Sequence, residues 1–290
     1  MRIEIDNLSY SYSAGQKGLE VKALKNVSLT IEEGDFYGII GHTGSGKSTL
    51  IQHINGLIKI GKNSGSIRVG EFDLTDKKCD FNKLRSLVGM VFQYPEYQLF
   101  SETVFLDVAF GLKNFFPDLK EEEIKERVKT AIELVGLDYE KVKDKSPFEL
   151  SGGQKRRVAI AGTIVSKPEI LVLDEPAAGL DPIGKRDFLK LLKNLHKGFV
   201  KTIVIVSHDM DLVAEHCNRA CVLNHGEVFA EGSPKDIFSR KNDLLSLGLD
   251  LPLTAYITDK LKENGIDAPN DFTEEDFIRA ITNRYEGEKR

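Results

Sequence analysis

Lys47 and Ser48 close the run Gly41-His42-Thr43-Gly44-Ser45-Gly46-Lys47-Ser48-Thr49, whose spacing suits the grip of a nucleoside triphosphate. Glycine lacks a Cβ, so at Gly41, Gly44 and Gly46 the backbone can take unusual φ/ψ values and turn successive N–H groups toward phosphate oxygens. A helix beginning at the same spot adds the partial positive charge of its N-terminus. In such a phosphate-binding P-loop the lysine ammonium bridges the β- and γ-phosphates, and the following hydroxyl sits on Mg²⁺. Those roles fall to Lys47 and Ser48. The context the motif needs is present. Phe36-Tyr37-Gly38-Ile39-Ile40 reads as a buried parallel strand. Thr49 to Asn55 reads as a helix stopped by Gly56.

Further segments could complete a hydrolytic site. Ile170-Leu171-Val172-Leu173 reads as an apolar strand ending at Asp174-Glu175-Pro176, which puts two acids at the edge where ligands bind in open α/β sheets. Val88 to Phe92 leads to Gln93, and Thr202 to Val206 leads to Ser207-His208-Asp209. Alone, a histidine or glutamine after a strand reads as an ordinary satisfied residue. Leu150-Ser151-Gly152-Gly153-Gln154 forms another phosphate-facing surface. Ser151 suits an N-cap, and the glycines leave the first-turn N–H groups open to a phosphate from outside.

The order and spacing of these segments resemble the ATPase subunit of an ATP-binding-cassette (ABC) transporter. The resemblance implies Asp174 as the carboxylate holding Mg²⁺ through water, Glu175 as general base, Gln93 as sensor of Mg²⁺ and water, and His208 as the switch histidine touching the γ-phosphate. It also implies two chains packed head to tail, each γ-phosphate lying between one P-loop and the opposite Ser151-Gly152-Gly153-Gln154. Ala177-Ala178-Gly179-Leu180-Asp181 would cross that interface, and Asp181 joins the expected nucleotide-binding set. Commoner versions carry Ser or Thr where Ala178 stands. Tyr12 matches the aromatic that stacks on adenine in these ATPases; an ordinary sheet aromatic is the alternative, with Tyr10 on the same face of a strand.

The elements that must position these residues imply an α/β P-loop NTPase cassette with an antiparallel β edge. Residues 1–93 and 167–239 would form the nucleotide-binding core, 94–166 a helical insert carrying the signature, and 240–290 a C-terminal helical extension. In the insert, Glu121, Glu122 and Glu123 start a helix with apolar Ile124, Val128, Ala131, Ile132 and Val135, ended by Gly136. Pro95 forbids strand pairing, which predicts a mobile loop after Gln93; Tyr97 and Leu99 there are expected to face a membrane partner. Lys155-Arg156-Arg157 reads as a helix surface and not as a nucleic-acid grip. In the extension, Thr254–Asn264 and Glu274–Tyr285 read as short helices with apolar stripes, either a docked cap or a dimerisation appendage; Thr273 with Asp276 approximates a capping box.

Composition fits one large domain plus an appendage: 290 residues, 41% hydrophobic and 29% charged. No apolar run approaches a bilayer span of about 18 residues, and no signal-peptide core precedes the first strand, so a cytoplasmic chain reaching the membrane through partners is expected. A net charge of −5 without a long basic stripe argues against nucleic acid. His216, Cys217, Cys221 and His225 lack the paired spacing of a zinc site.

The wording Phe92 to Phe100, Leu150 to Ala161 and Glu175 to Pro182 is similar to the energy-coupling-factor (ECF) ATPases of bacterial cobalt, nickel and vitamin importers. That resemblance implies ATP and Mg²⁺ as cofactors. It implies as partners a second ATPase subunit, like or unlike, a transmembrane coupling protein and a membrane substrate-binding protein. It places the chain at the cytoplasmic face of the membrane. A non-transport ABC ATPase of translation or DNA repair is the rival, but the long coiled coil, zinc module or second cassette of those proteins is missing. A kinase-like P-loop enzyme does not account for Leu150 to Gln154.

Overall fold

Strands with every side chain buried set the architecture. In the computed structural model, which describes residues 1–13, 20–266, 268 and 272–287, all five positions of β3 (Phe36–Ile40), β7 (Ile170–Asp174) and β8 (Thr202–Val206) are buried. Apolar strands of this kind need cover on both faces. They lie in a six-stranded sheet, with β6 (Val88–Val91) at one edge and β9 (Arg219–Asn224) and β10 (Glu227–Gly232) at the other, in the order β10-β9-β3-β8-β7-β6. All neighbours run parallel except β10 against β9. A second, antiparallel sheet has the order β2-β1-β4-β5, from β1 (Ile3–Ser13), β2 (Glu20–Ile31), β4 (Ser66–Val69) and β5 (Phe72–Asp73).

The two-residue period of a strand divides the core in two. Ile39, Ile170, Val172, Val204 and Val206 point into a cluster shared with the antiparallel sheet and with α1 (Lys47–Ile54) and α2 (Phe81–Leu87). Ile40, Leu171, Leu173, Ile203 and Ile205 point to the opposite face. There they meet helices α3 (Val104–Phe115), α4 (Glu121–Leu134), α6 (Gly152–Ile164), α7 (Pro182–Gly198) and α8 (Met210–His216), while α5 (Tyr139–Val142) adds Tyr139 and Val142. The α4 stripe of Ile124, Val128, Ala131 and Ile132 is buried as its spacing requires, and Gly136 follows with φ 76°.

Two expectations change here. Pro95 does end strand pairing, but Pro95–Gln98 forms a 3₁₀ turn with Pro95 buried, and Leu99 enters the core instead of facing outward. Only Tyr97 of the expected pair is exposed. Of the basic run on α6, Lys155 and Arg157 stay partly exposed but Arg156 is buried, and Arg157 donates to the Val135 carbonyl at 2.5 Å, satisfying a free acceptor at the end of α4.

After β10 come α9 (Pro234–Phe238), α10 (Lys241–Ser246), α11 (Leu253–Glu263) and α12 (Glu274–Gly287). Leu244, Leu249, Leu251, Ala255 and Phe272 join the larger cluster, so this stretch docks on its own chain. The Leu253 N–H donates to the Asp211 carboxylate at 2.8 Å, adding a polar clasp. Tyr256, Ile257 and Ile278 remain exposed. Before α12, Thr273 accepts from the Asp276 N–H at 3.2 Å and donates its hydroxyl to the Asp276 carboxylate at 2.8 Å. Parts of the expected extension, 267, 269–271 and 288–290, lie outside the described residues.

Candidate active site

Four parallel strands end at one sheet edge, and each hands over to a residue singled out by its chemistry. Beyond Ile40 of β3 comes the P-loop, beyond Asp174 of β7 comes Glu175, beyond Val206 of β8 come Ser207 and His208, and beyond Val91 of β6 come Phe92 and Gln93. This is the edge at which open α/β sheets hold ligands. A cleft of about 490 Å³ opens there, lined by Thr43, Gly44, Gly46, Lys47, Ser48, Thr49, Gln93, Asp174, Glu175 and His208.

The P-loop takes the shape its glycines permit. Gly44 and Gly46 have φ of 82° and 104°, in the left-handed region that a Cβ disfavours. A side chain on Gly46 would also strike the Ala23 carbonyl, at 2.4 Å. Lys47 begins α1 and is buried, its ammonium donating to the carbonyls of Gly41 at 2.6 Å and His42 at 3.0 Å. Burial pulls the lysine below its ordinary pKa, partly opposed by the nearby carboxylates of Glu175 and Asp174. Ser45 is fully buried, and His42 turns away to pair its Nε2 with Asn224 at 3.1 Å. Gly41, His42 and Ser45 shape the loop without lining the cleft.

Asp174 is buried, which raises its pKa above the usual carboxylate value; a hydrogen bond from Ser48 and the charge of Lys47 work the other way. Its Oδ1 has no hydrogen-bond partner among the described residues. A buried carboxylate oxygen left bare beside a serine hydroxyl is a hard oxygen donor set, the chemistry Mg²⁺ requires.

Glu175 has φ 47°, left-handed although it carries a side chain. Such backbone strain costs about 1–3 kcal/mol and persists only where the surroundings enforce it. Its N–H donates to Val206 at 3.0 Å, and its carbonyl accepts from Ala178 at 3.0 Å. The side chain meets His208, whose Nδ1 lies 2.6 Å from Oε2. A carboxylate only accepts, so Nδ1 carries the proton.

The signature residues stand apart. Ser151 caps α6 in a reciprocal box with Gln154, and Gly152 and Gly153 are exposed with open space where a Cβ would sit. None of Ser151, Gly152, Gly153 and Gln154 lines the cleft of their own chain, nor does Asp181, which N-caps α7 by accepting from Gly184 at 2.6 Å.

Tyr12 does line the cleft, with its hydroxyl 3.2 Å from the Thr49 hydroxyl. Beside it stand Val21, Lys22 and Ala23 of β2, a wall that the sequence reading missed. The pairing of Tyr12 with Val21 across the hairpin brings them there, and no motif marks it. Tyr10, Tyr12 and His53 form an edge-to-face stack with centroid spacings of 4.9 and 4.8 Å, joining the hairpin to α1.

Residues 24–178 match the ABC transporter family model. Among similar proteins, the energy-coupling factor transporter ATP-binding protein EcfA2 of Clostridium tetani is 51% identical over 94% of this chain and 93% of its own. The protein of the same name from Clostridium acetobutylicum is 50% identical over the whole of both chains. Among solved structures, cbiO1 from Clostridium perfringens, part of the ABC transporter complex cbiONQ, superposes with a TM-score of 0.73 at 38% identity, covering 89% of this chain and 98% of that one. The dimeric ATP-binding cassette MJ0796, in a post-hydrolysis state bound to ADP and Pi, gives 0.70 at 31% identity, covering 80% and 98%. With half of its residues shared along the full length of such relatives, this chain belongs to the ABC transporter family, among the ATP-binding proteins of energy-coupling factor transporters.

Proposed function

We propose that the cleft binds ATP for hydrolysis, with the triphosphate along the P-loop and the base against Tyr12 and Val21. The contact that carries the reading is the 2.6 Å approach of His208 Nδ1 to Glu175 Oε2, in the cleft that Lys47 also lines. With Oε2 taken, Oε1 is free to accept the proton of an attacking water, as a general base does. Lys47 and the N–H groups of the loop face the charge that builds on the leaving phosphate. Ser48 and Asp174 would hold Mg²⁺, assisted by Gln93 at the rim. Bound there, the ion offsets charge on the β- and γ-phosphates.

The site requires a second ATPase subunit, because the exposed N-terminus of α6 lies outside the cleft. Head-to-tail pairing puts Ser151, Gly152 and Gly153 of one subunit, with Asp181, at the nucleotide of the other; that the similar cassette bound to ADP and Pi is dimeric supports pairing. ATP then favours the closed pair by contacting both chains only when they meet. Residues 1–93 and 167–239 serve as the nucleotide-binding core, 94–166 as the signature-bearing arm and 240–290 as an extension that also pairs. Among the described residues no helix is long and apolar enough to cross a membrane. The names of the relatives, an ATP-binding protein of an energy-coupling factor transporter and a part of an ABC transporter complex, support a subunit that works within a transporter. On this reading it sits at the cytoplasmic face, beneath a transmembrane coupling protein and a membrane substrate-binding protein that selects a vitamin or transition-metal ion.

Glu175→Gln tests the reading. In the assembled transporter it should keep ATP binding, lose turnover by roughly 10²–10⁴-fold and trap a closed, ATP-bound pair. Near-normal hydrolysis would sink the assignment.

A further inference from the structure

Arg156 has four hydrogen bonds to three residues in two segments of the catalytic edge, and the reaction as laid out above gives it no task. It is 5% exposed, on α6 just beyond the signature residues. Its Nε and Nη2 grip the Glu96 carboxylate in a fork, at 3.0 and 2.9 Å. Its Nη1 donates to the Pro176 carbonyl at 3.1 Å, and Nη2 donates again to the Ala178 carbonyl at 3.0 Å. Four donations from one planar group demand the five fixed N–H vectors of a guanidinium.

What it grips is the more telling part. Strands β6 and β7 are parallel neighbours, and after each the chain makes the same unusual move. Tyr94 has φ 53° and precedes Pro95; Glu175 has φ 47° and precedes Pro176. Both are side-chain-bearing residues in the left-handed region, where strain survives only if the surroundings hold it. Arg156 holds the residues just past both strained points: Glu96 after one, Pro176 and Ala178 after the other. The Tyr94 ring also lies against Gly179, at 3.5 Å from where a Cβ would stand. Burial pushes the Glu96 carboxyl up, but the hydrogen bonds and charge of Arg156 outweigh it and keep it below the usual carboxylate range.

We propose that Arg156 is a positioning residue that locks the Gln93 segment and the Glu175 turn to the signature helix, so that phosphate contact at the N-terminus of α6 sets the aim of the general base. Both strained turns then move with α6 as one body. A partner's phosphate that shifts the helix shifts Glu175 toward its water, and Gln93 with it. The proposal rests on the assignment of Glu175 as base, and Glu175→Gln serves as its separate control.

The test uses the complete transporter with Arg156→Gln, Arg156→Lys and Glu96→Gln, measuring ATP affinity, kcat, KM and melting temperature. Arg156→Gln should leave ATP affinity and KM within about threefold of wild type while kcat falls roughly 10²-fold, the scale of a displaced catalytic group. Arg156→Lys keeps the charge but loses the fork, and should recover part of that loss. Glu96→Gln, which spares both carbonyl bonds, should lower kcat less than Arg156→Gln. A folded Arg156→Gln protein with kcat within twofold of wild type overturns the proposal. So does an ATP affinity that falls in step with melting temperature, which marks a merely structural residue. Should Arg156→Gln not fold, unchanged kcat in Arg156→Lys overturns it equally. Retained hydrolysis in Glu175→Gln would instead overturn the base assignment.

Discussion

At the scale of single residues, the cleft assigns tasks by which atoms are already occupied. His208 is held by one oxygen of Glu175, so its removal leaves the carboxylate free to rotate. His208→Ala in the assembled transporter is expected to lower kcat roughly 10²-fold with ATP binding intact, by the same misplacement logic. Turnover near wild type with saturating ATP would show that the histidine does not orient the base. Tyr12 supplies a flat surface beside Val21, and its hydroxyl only meets Thr49. Tyr12→Ala should weaken ATP binding about tenfold, within the 1–3 kcal/mol typical of base–aromatic stacking, and Tyr12→Phe should bind within about twofold of wild type. Equal loss in both, measured by titration with a fluorescent ATP analogue, would move the contribution from the ring to the hydroxyl.

At the scale of elements, α1 couples the cleft to a pH-dependent packing contact. His53 is fully buried, its Nδ1 donating to the Thr49 carbonyl at 2.8 Å while Nε2 has no hydrogen-bond partner among the described residues. Burial pulls its pKa below the ordinary 6.5, against the smaller opposing effect of the Thr49 bond. The unfolded chain therefore takes up the proton first, and stability falls as pH drops from about 6.5 toward the folded-state pKa. His53→Leu should flatten that part of the stability curve, read from urea midpoints between pH 7 and 5. His216, lowered by burial and by Lys193 and Lys185, keeps some of the slope. An unchanged slope would mean that His53 takes up its proton alike in the folded and unfolded chains. After the 3₁₀ turn, Leu99→Ala should cost about 2–5 kcal/mol as a core truncation. Tyr97→Ala, at a side chain 83% exposed, should leave the melting temperature alone and lower transport more than ATPase activity. The opposite pattern would put the outward face elsewhere.

These elements also show where sequence stops informing. The parallel strands, the P-loop and the helix caps are legible because each is local: apolar runs, glycine spacing and capping residues act within a few positions. The buried grip of Arg156 on Glu96 spans 60 residues of chain, and a basic triplet on a helix reads as surface until the fold closes over its middle residue. Leu99 misleads for a related reason, since a short turn swings it inward one residue past an exposed stretch. The β2 wall of the cleft is invisible because its residues belong to no motif and gain their place only by pairing with β1.

At the scale of the whole molecule, the C-terminal stretch has a docked side and an exposed side built from different residues. Leu249, Leu251, Ala255 and Phe272 fasten it to its own core, so deleting it would open that core. Tyr256 and Ile257 instead face a surface groove with Leu261 and Ile266. Replacing only these, as Tyr256→Ser with Ile257→Glu, should weaken nucleotide-free pairing of the ATPase subunits in sedimentation while ATP binding persists. Unchanged association would make the stretch a simple cap. Pairing through ATP has a condition of its own, set by the cap of α6. Gln154 Oε1 accepts the Ser151 N–H at 3.1 Å, while Ser151 Oγ accepts the Gln154 N–H at 3.4 Å. A lone subunit thus has two of the main-chain donors at this end occupied, the serine and glutamine answering each other's N–H groups. An arriving phosphate that recruits those donors must displace the pair, so recognition between subunits is an exchange of hydrogen bonds, with little gained from a phosphate that arrives without the contacts of the whole closing surface.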